Sequence, residues 1–340
     1  MSDVVVIGAG LAGLSCARAL AEQQIDVRVL EKSRGLGGRC ATRRVEGQPV
    51  DHGLGFYHGD DPEFLSALRS VASEAPIVWP RKVEGDGTPC QPMAYREEHQ
   101  RLAYASGVTV FPKALAKAIP IAFQTPVVRI DQDGGLLSLA TESGHHRARR
   151  VVLALPAPQT LRLLRMVEPS ASADLRAAAA LLASVSTVSC LTLIAGYPAG
   201  TSVPEWDVCY PRESDALQMV SHDSTKRAAP AQPVFVFQSR PRWSRTHWND
   251  EPADWSAQLL AAALPVCGDW VTRPSWSSLK RWRYARLTGG DALSAPLLIR
   301  IGNGSTLGIA GEAMAGDGGA QAAWRSGRLL ARRLLAETLP

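Results

Sequence analysis

The stretch VVVIGAGLAG, residues 4–13, decides the fold of this chain. Its four leading apolar residues predict a buried strand, and the spacing of Leu and Ala over residues 11–23 predicts a helix that begins inside the glycine motif. Residues 26–30 predict a second strand. Strand, helix and strand together form a βαβ unit of about 30 residues, the size of a dinucleotide-binding half-site.

The glycines of this stretch follow the pattern G-x-G-x-x-G. Gly8 allows the tight turn after the strand, Gly10 lets the backbone approach a pyrophosphate, and Gly13 lets the helix pack closely on the strand. The start of the helix offers free N–H groups and a partial positive charge to the phosphates. Glu31 ends the second strand, where its carboxylate would accept hydrogen bonds from both hydroxyls of a ribose. The pattern therefore predicts a dinucleotide-binding site.

The segment that follows distinguishes FAD from NAD, which the glycine motif alone does not. Residues 31–39, EKSRGLGGR, contain a second glycine loop for which an NAD enzyme has no need. This segment is similar to the second flavin signature of the glutathione-reductase-type FAD proteins, and particularly of their amine-oxidase-like branch. The similarity implies that the doublet ending at Gly38 runs past the pyrophosphate and that Arg39 lies near the flavin end of the cofactor.

A third segment near the C-terminus agrees with FAD binding. Residues 306–310 predict a strand, and Gly311 and Glu312 follow it before a predicted helix over residues 320–337. FAD proteins of this class carry Gly-Asp at this place, and the similarity implies that the acid binds the ribityl chain; Asp317 is an alternative to Glu312. The residues predicted to contact FAD, bound without a covalent link, are Gly8, Gly10, Leu11, Ala12, Gly13, Glu31, Lys32, Gly38, Arg39, Val128, Gly311 and Glu312.

The middle of the chain has a different character from its two ends. It holds seven of the nine tryptophans, and its alternating segments over residues 187–194, 234–238 and 270–276 predict an antiparallel sheet. We therefore predict an α/β fold with a Rossmann-type FAD-binding domain and an antiparallel-sheet substrate domain. The predicted FAD-binding domain comprises residues 1–75, 108–156 and 291–340, and the predicted substrate domain comprises residues 76–107 and 157–290.

Composition excludes several other classes of protein. The formal net charge is +5, without the long block of like charges that is typical of a nucleic-acid-binding arm. The sequence has no apolar run long enough to span a membrane, and its first strand begins too early for a signal peptide. The six cysteines have no metal-ligand or Cys-x-x-Cys spacing, which is typical of reduced thiols. We predict a cytoplasmic protein without a metal ion.

Residues 31–44, followed by Asp51 and His52, resemble the renalase family and its bacterial members. Residues 151–159 and 281–285 resemble the family as well. The resemblance implies the para-hydroxybenzoate-hydroxylase-like FAD fold. It also implies an oxidase that takes a hydride from a 2- or 6-dihydro isomer of NAD(P) to flavin N5 and passes the electrons to O2. The absence of a second G-x-G-x-x-G motif fits this function, because a nicotinamide would then meet the flavin as substrate.

The chain departs from the family pattern at three places. Glu312 stands in a GEAM segment where the family has a Gly-Asp-Trp-Cys-like one, and Lys280 stands where relatives often have His. Residues 319–323 replace the family's Val-Glu-Gly-Ala approach to the last helix. These positions are expected near the flavin and the substrate, so two other functions stay open: a flavin amine oxidase, and a flavin desaturase or isomerase without oxygen turnover.

Three residues are predicted on the substrate side of the site. Trp282 and Tyr284 belong to the segment that resembles the family, and an aromatic ring could stack on a planar substrate. His52 is expected in a loop near the flavin, mainly as a hydrogen-bond donor. A dihydropyridine gains aromaticity when it loses a hydride, so the protein would mainly position two rings and needs no strong base.

Overall fold

The computed structural model describes residues 2–71, 73–167, 172–288, 292–302, 304–316 and 318–337. The strands are β1 (Val4–Ile7), β2 (Val27–Leu30), β3 (Thr42–Val45), β4 (Gln48–Asp51), β5 (Tyr57–Gly59), β6 (Ile77–Val78), β7 (Val83–Glu84), β8 (Gln100–Ala103), β9 (Ile121–Ala122), β10 (Val127–Asp133), β11 (Leu136–Thr141), β12 (Gly144–Ala148), β13 (Arg150–Leu153), β14 (Thr187–Gly196), β15 (Val208–Cys209), β16 (Leu217–His222), β17 (Val234–Ser239), β18 (Trp276–Leu287), β19 (Leu297–Arg300) and β20 (Thr306–Ile309). The helices are α1 (Leu11–Ala21), α2 (Pro62–Arg69), α3 (Val110–Leu115), α4 (Ala157–Leu164), α5 (Ala173–Ser184), α6 (Pro241–Thr246), α7 (Pro252–Cys267) and α8 (Gly319–Ala336).

The chain divides into two compact units. Unit 1 comprises residues 1–38, 111–187 and 287–340, and unit 2 comprises residues 39–110 and 188–286.

Unit 1 is built on a six-stranded sheet in the order β19-β20-β13-β1-β2-β9. β1 lies between β13 and β2 and runs parallel to both, with Val4 opposite Val27 and Ile7 opposite Leu30. β19 is the antiparallel strand of this sheet. A separate antiparallel meander, β10-β11-β12, belongs to the same unit. This arrangement confirms the predicted Rossmann-type α/β fold.

β1 contributes to two cores because successive side chains of a strand point to opposite faces. Val4 and Val6 pack with residues of α1 and α8, whereas Val5 and Ile7 pack with residues of the meander and of α4 and α5. A continuous apolar strand is what a parallel sheet covered on both faces requires. α1 and α8 also approach closely, since a Cβ on Gly327 would lie 2.1 Å from the Ala12 carbonyl oxygen.

Unit 2 is built on another six-stranded sheet, in the order β18-β14-β17-β16-β15-β7. Its central strands β14, β17, β16 and β15 pair antiparallel, which confirms the predicted antiparallel sheet. α7 packs on this sheet through Trp255 and Leu259, which are fully buried together with Phe235 and Phe237.

The strand predicted over residues 270–276 is wrong. Asp269–Thr272 form a 3₁₀ turn, and β18 begins only at Trp276. The physical reason is Pro274, which lacks the N–H that a strand donates to its neighbour and fixes its own φ. Trp270 and Val271 therefore belong to a turn that packs against α7.

The units differ from the predicted domains mainly at two long segments, and by a few residues at 108–110 and 287–290. Residues 39–75 lie in unit 2, where the β3–β4 hairpin ends in the buried Asp51. Residues 157–187 lie in unit 1, because α4 and α5 bury Leu163 and Leu175 in the same core as Val5. The assignment of a cofactor role to one domain and a substrate role to the other stays a prediction.

Candidate functional site

The glycine motif forms a tight loop at the C-terminal end of β1. Gly8 has a φ of +108°, and a Cβ there would lie 2.6 Å from the Ala154 carbonyl oxygen. A Cβ on Gly13 would lie 2.0 Å from the Gly8 carbonyl oxygen. Both positions therefore require glycine for internal packing. Gly10 differs from them, because no atom lies within 4 Å of a Cβ built on it.

The open space at Gly10 is what a ligand needs in order to approach the backbone. α1 begins at Leu11, directly after Gly10, so its first N–H groups are turned to the same place. No side chain caps this end of the helix in the described structure. Space, free donors and a helix dipole together fit the pyrophosphate of a dinucleotide.

Glu31 is held beside this loop by two hydrogen bonds. Its carboxylate accepts one from the Ala9 N–H and one from the Ser33 N–H, each at 2.8 Å. The residue directly follows β2 and is only 8% exposed. A carboxylate can accept about four hydrogen bonds, so two positions stay available for the hydroxyls of a ribose. The geometry fits the role predicted for Glu31.

The second glycine loop lies directly against the first. The Gly37 N–H donates to the Ala9 carbonyl at 2.8 Å, and Gly37 forms a parallel bridge with Gly10. Gly37 and Gly38 have φ values of +99° and +58°, which glycine adopts without strain. A Cβ on Gly38 would come within 3.5 Å of the Gly10 Cα. The structure thus brings together the two glycine segments that the sequence predicts to bind one dinucleotide.

The C-terminal segment follows the end of β20, the strand that pairs parallel with β13. The Gly311 N–H donates to Ser326 Oγ at 3.0 Å, which ties the end of β20 to α8. Glu312 is buried, at 9% exposure, and its role toward a ribityl chain stays a prediction. Asp317 lies outside the described residues.

The other predicted cofactor residues occupy varied positions. Leu11 and Ala12 are buried in the first turn of α1, and Lys32 is exposed after β2. Val128 is exposed on β10, where the register of the β10–β11 pair shifts. Arg39 belongs to unit 2. The contact of each of these residues with FAD stays a prediction.

Unit 2 brings His52 and Trp282 together. The Trp282 indole N–H donates to the His52 carbonyl at 3.0 Å, and the two rings stack with centroids 5.4 Å apart. A Cβ on Gly53 would lie 2.2 Å from the Arg39 carbonyl oxygen and 3.1 Å from the Trp282 ring. Glycine at this position therefore allows the loop after β4 to approach β18.

The alternation of β18 sorts its side chains onto two faces. On one face, Lys280 Nζ lies 5.1 Å from the centre of the Trp282 ring. On the opposite face, Arg281 lies over Trp255 and Arg283 lies over Trp248, at 5.8 and 5.2 Å. Tyr284 shares the parity of Trp282, and its carbonyl is 3.5 Å from Arg39 Nη1. The predicted substrate-side residues therefore lie on one face, with Lys280.

His52 is uncharged in this setting. Its pKa is lowered from the ordinary 6.5 to about 4, chiefly by burial and then by the positive charges of Arg43 and Lys280, against a smaller opposing influence of Asp51. Its Nδ1 is buried and has no hydrogen-bond partner among the described residues. Such an atom normally finds a partner in protein, water or ligand.

Sequence reasoning missed Arg43 as part of this face. Arg43 lies on β3 and donates to Ser278 Oγ on β18. Ser278, Lys280 and Trp282 have the same parity, so Arg43 lies on the face that carries Trp282. Nothing near Arg43 in the sequence indicates this, since 235 residues separate it from Ser278.

Three structural findings concern other classes of site. In the part of the chain that the structure describes, no helix combines the length and the apolar character needed to cross a bilayer. The same residues contain no cluster of His, Cys, Asp and Glu suited to a metal ion. The six cysteines, all of them within the described ranges, form no disulfide. A cytoplasmic location stays a prediction.

Comparison with known families defines the class of the protein. The sequence model for the flavin-containing amine oxidoreductase family matches residues 77–335, and the model for NAD(P)-binding Rossmann-like domains matches residues 6–71. The first match spans more than half of the chain, so the chain belongs to the flavin-containing amine oxidoreductase family. Membership makes it an FAD-dependent oxidoreductase, in agreement with the predicted cofactor.

Individual relatives share only short segments with this chain. A Mycobacterium tuberculosis protein named as a flavin-containing monoamine oxidase is 52% identical over 66 residues, which is 19% of this chain and 14% of that protein. The zeta-carotene-forming phytoene desaturase of Myxococcus xanthus is 50% identical over 50 residues, which is 15% of this chain and 10% of that protein. The chain thus matches far less than two thirds of the length of either relative.

Solved structures resemble the whole chain at low identity. A putrescine oxidase bound to putrescine has a TM-score of 0.73 at 14% identity, covering 98% of this chain and 99% of that one. Cyclohexylamine oxidase from Brevibacterium oxydans has a TM-score of 0.70 at 16% identity, covering 99% of both chains. At these identities the likeness shows the fold alone.

Proposed function

We propose that this protein is an FAD-dependent oxidase whose electron donor is a dihydronicotinamide dinucleotide reduced at ring position 2 or 6, with O2 as the acceptor. This is the reaction that the resemblance to the renalase family implies. One observation carries the choice of donor: the face of unit 2 that holds His52 and Trp282 is flanked by Lys280 and Arg43.

The charges of this face favour an anionic ligand. Lys280 and Arg43 are both close enough to His52 to lower its pKa. The carboxylate nearest to His52, Asp51, forms ion pairs with Lys226 and Arg227 inside unit 2, so it offsets little of this positive charge. A site with one sign of charge concentrates ligands of the other sign. The pyrophosphate of a dinucleotide is such a ligand, whereas a protonated amine is repelled.

The side chains also suit a flat, hydride-donating ring. FAD, when bound, supplies the hydride acceptor and the route of electrons to O2. Trp282 offers an aromatic surface on which a planar ring can stack, and the buried His52 Nδ1 offers one polar atom to orient it. With a pKa of about 4, the His52 ring is neutral at neutral pH, so it can orient a ligand by a hydrogen bond but does not act as a general acid. A dihydropyridine needs no proton removed, because aromaticity drives the loss of hydride.

An amine donor is the second candidate, and membership of the flavin-containing amine oxidoreductase family favours it. An amine must be in its neutral form before a hydride leaves the carbon beside nitrogen. A base with a pKa near the working pH would assist this step, and His52 is far from that range. The cations Lys280 and Arg43 would moreover repel the ammonium form. The charges near His52 thus favour the dihydronicotinamide donor over an amine.

Substitution of Lys280 tests the proposal against a control on the same strand. Lys280→Met should raise the KM for a 6-dihydro-NAD isomer about tenfold, the effect of losing one charge-assisted contact. Arg283→Met removes a cation from the opposite face of β18 and should leave the KM within about twofold. Added salt should weaken the affinity of the wild-type protein for the donor more than it weakens the affinity of the Lys280→Met variant. Equal KM values for the wild type and both variants would refute an anionic donor at this face.

A further inference from the structure

Four charged side chains meet in the interior of unit 2. Lys226 Nζ lies 2.7 Å from Asp51 Oδ2 and 2.6 Å from Asp223 Oδ1, and the Arg227 guanidinium contacts both carboxylates. The side chains of Asp51, Asp223 and Lys226 are fully buried, and that of Arg227 is 5% exposed. Two cations balance two carboxylates, so the cluster as a whole is neutral.

A fully buried cluster of charged side chains contributes little net stability to a protein. Moving each ion out of water costs several kcal/mol, and well-packed apolar residues often stabilise a core equally well. Lys226 also lies 4.5 Å from the centre of the Trp79 ring, which lines the same interior. The hydrogen bonds that the cluster makes to other residues of unit 2 therefore indicate its role.

Those contacts converge on the loop over residues 51–55. Lys226 Nζ donates to the Gly55 carbonyl at 2.9 Å, and it also holds Asp51, so one ammonium group binds both ends of the loop. Asp51 Oδ1 accepts from Thr42 Oγ1 at 2.6 Å and from the Val108 N–H at 2.9 Å. The ends of the loop are thus fixed to three other segments of unit 2.

The residues between those ends include the candidate substrate contact. His52 follows Asp51 directly, and its carbonyl receives the Trp282 N–H. Gln238 Nε2 donates to the Gly53 carbonyl at 2.7 Å. The stacking of His52 on Trp282 therefore depends on where the loop is held.

We propose that Lys226 is a positioning residue, which clamps the two ends of the 51–55 loop and thereby sets the His52–Trp282 pair for the substrate. Lys226 is buried behind the loop and acts on the substrate only through it. The proposal rests on the proposed function for the role of the pair in substrate binding, but the clamping itself is a property of unit 2 that can be measured without any substrate.

The pKa of His52 reports the position of the loop. The groups that act on His52 are Arg43 and Lys280, which lower its pKa, and Asp51, which raises it; burial has the largest effect. A loop that leaves its place exposes the imidazole to water, and the pKa then moves toward its ordinary value. The measurement is the pH titration of the His52 ring by NMR, in FAD-loaded protein labelled at histidine.

The variant Lys226→Met/Asp223→Asn removes one cation and one carboxylate, so the remaining Asp51 and Arg227 stay balanced. Wild-type His52 should titrate near pH 4, and in the variant its pKa should rise above about 5.5. The rate of flavin reduction by the donor should fall about 10- to 100-fold, the cost of a misplacement near an ångström. Leu259→Ala, which weakens the buried core under α7, should lower the unfolding temperature without moving the pKa.

A His52 pKa that stays near 4 in the double variant overturns the clamp, whatever the kinetics show. A raised pKa with an unchanged rate overturns the link from the clamp to the reaction. If no donor reduces the wild-type flavin, the proposed function fails, while the titration still decides the clamp. If the double variant does not fold, Lys226→Arg gives the same readout, since a planar guanidinium cannot reproduce the contacts of a compact ammonium.

Discussion

Glu31→Ala is the sharpest test of the dinucleotide site, because the structure separates two effects of this change. The first concerns the protein without cofactor. Glu31 accepts hydrogen bonds from the Ala9 and Ser33 N–H groups. Ala9 is fully buried, so its N–H loses a partner that water cannot replace, at a cost of about 1–3 kcal/mol. Ser33 is exposed, and water replaces its lost bond at little cost.

The second effect concerns FAD. If the carboxylate also binds the ribose hydroxyls, the variant loses about 1–3 kcal/mol of binding free energy, which weakens the Kd about 5- to 150-fold. Denaturant unfolding of the apoprotein measures the first effect, and titration with FAD measures the second. Glu22→Ala, an exposed carboxylate just after α1, serves as the control for the charge change. An unchanged FAD affinity in a destabilised Glu31→Ala protein would show that Glu31 braces the loop without touching the cofactor.

Two further predictions concern the glycine loop and the buried His52. Gly10→Ala should leave the stability of the apoprotein unchanged, because its Cβ meets no atom within 4 Å, but it should weaken FAD binding at least about tenfold. Gly13→Ala should lower both the stability and the FAD affinity, since its Cβ would lie 2.0 Å from a carbonyl oxygen. Equal loss of apoprotein stability in both variants, measured by thermal unfolding, would contradict this difference. The pH dependence of stability follows from His52, whose pKa is held at about 4 by burial and then by Arg43 and Lys280. The unfolded state takes up a proton near pH 6.5 and the folded state only near pH 4, so this contribution is fully present above pH 6.5 and about 3 kcal/mol is lost as the pH falls to 4. His52→Asn should flatten that part of the curve, and an identical slope in the variant would refute the assignment.

Local sequence signals predicted the parts of the fold that depend on neighbours in the chain. The apolar run before Gly8 predicts the central strand β1, and the glycine pattern predicts the turn and the start of α1. Both predictions are correct because the residues that determine these elements lie within a few positions of one another. The strand predicted over residues 270–276 is wrong because Pro274 cannot donate a hydrogen bond to a neighbouring strand. The contact of Lys226 with Asp51 joins residues 175 positions apart, and neither has a local pattern that indicates it. Contacts of that kind arise only from the tertiary fold.

The division into two units shows a second limit of prediction from sequence patterns. α4 and α5 follow the predicted substrate-domain boundary in the sequence but pack in unit 1, because their leucines complete the core on one face of β1. An amphipathic helix has an apolar face in either domain, so its pattern does not reveal which sheet it covers.

The most direct test of the account is anaerobic mixing of the FAD-loaded protein with donors, one at a time, in a stopped-flow spectrometer. The account predicts that a 2- or 6-dihydro isomer of NAD(P) bleaches the flavin fastest. The 4-dihydro forms should be slower by about 100-fold, because only one ring carbon can lie at the reacting distance of about 3–3.5 Å. Primary and secondary amines should be slow as well. A flavin that any such amine reduces faster than every dihydropyridine isomer would contradict the account and replace it with an amine oxidase.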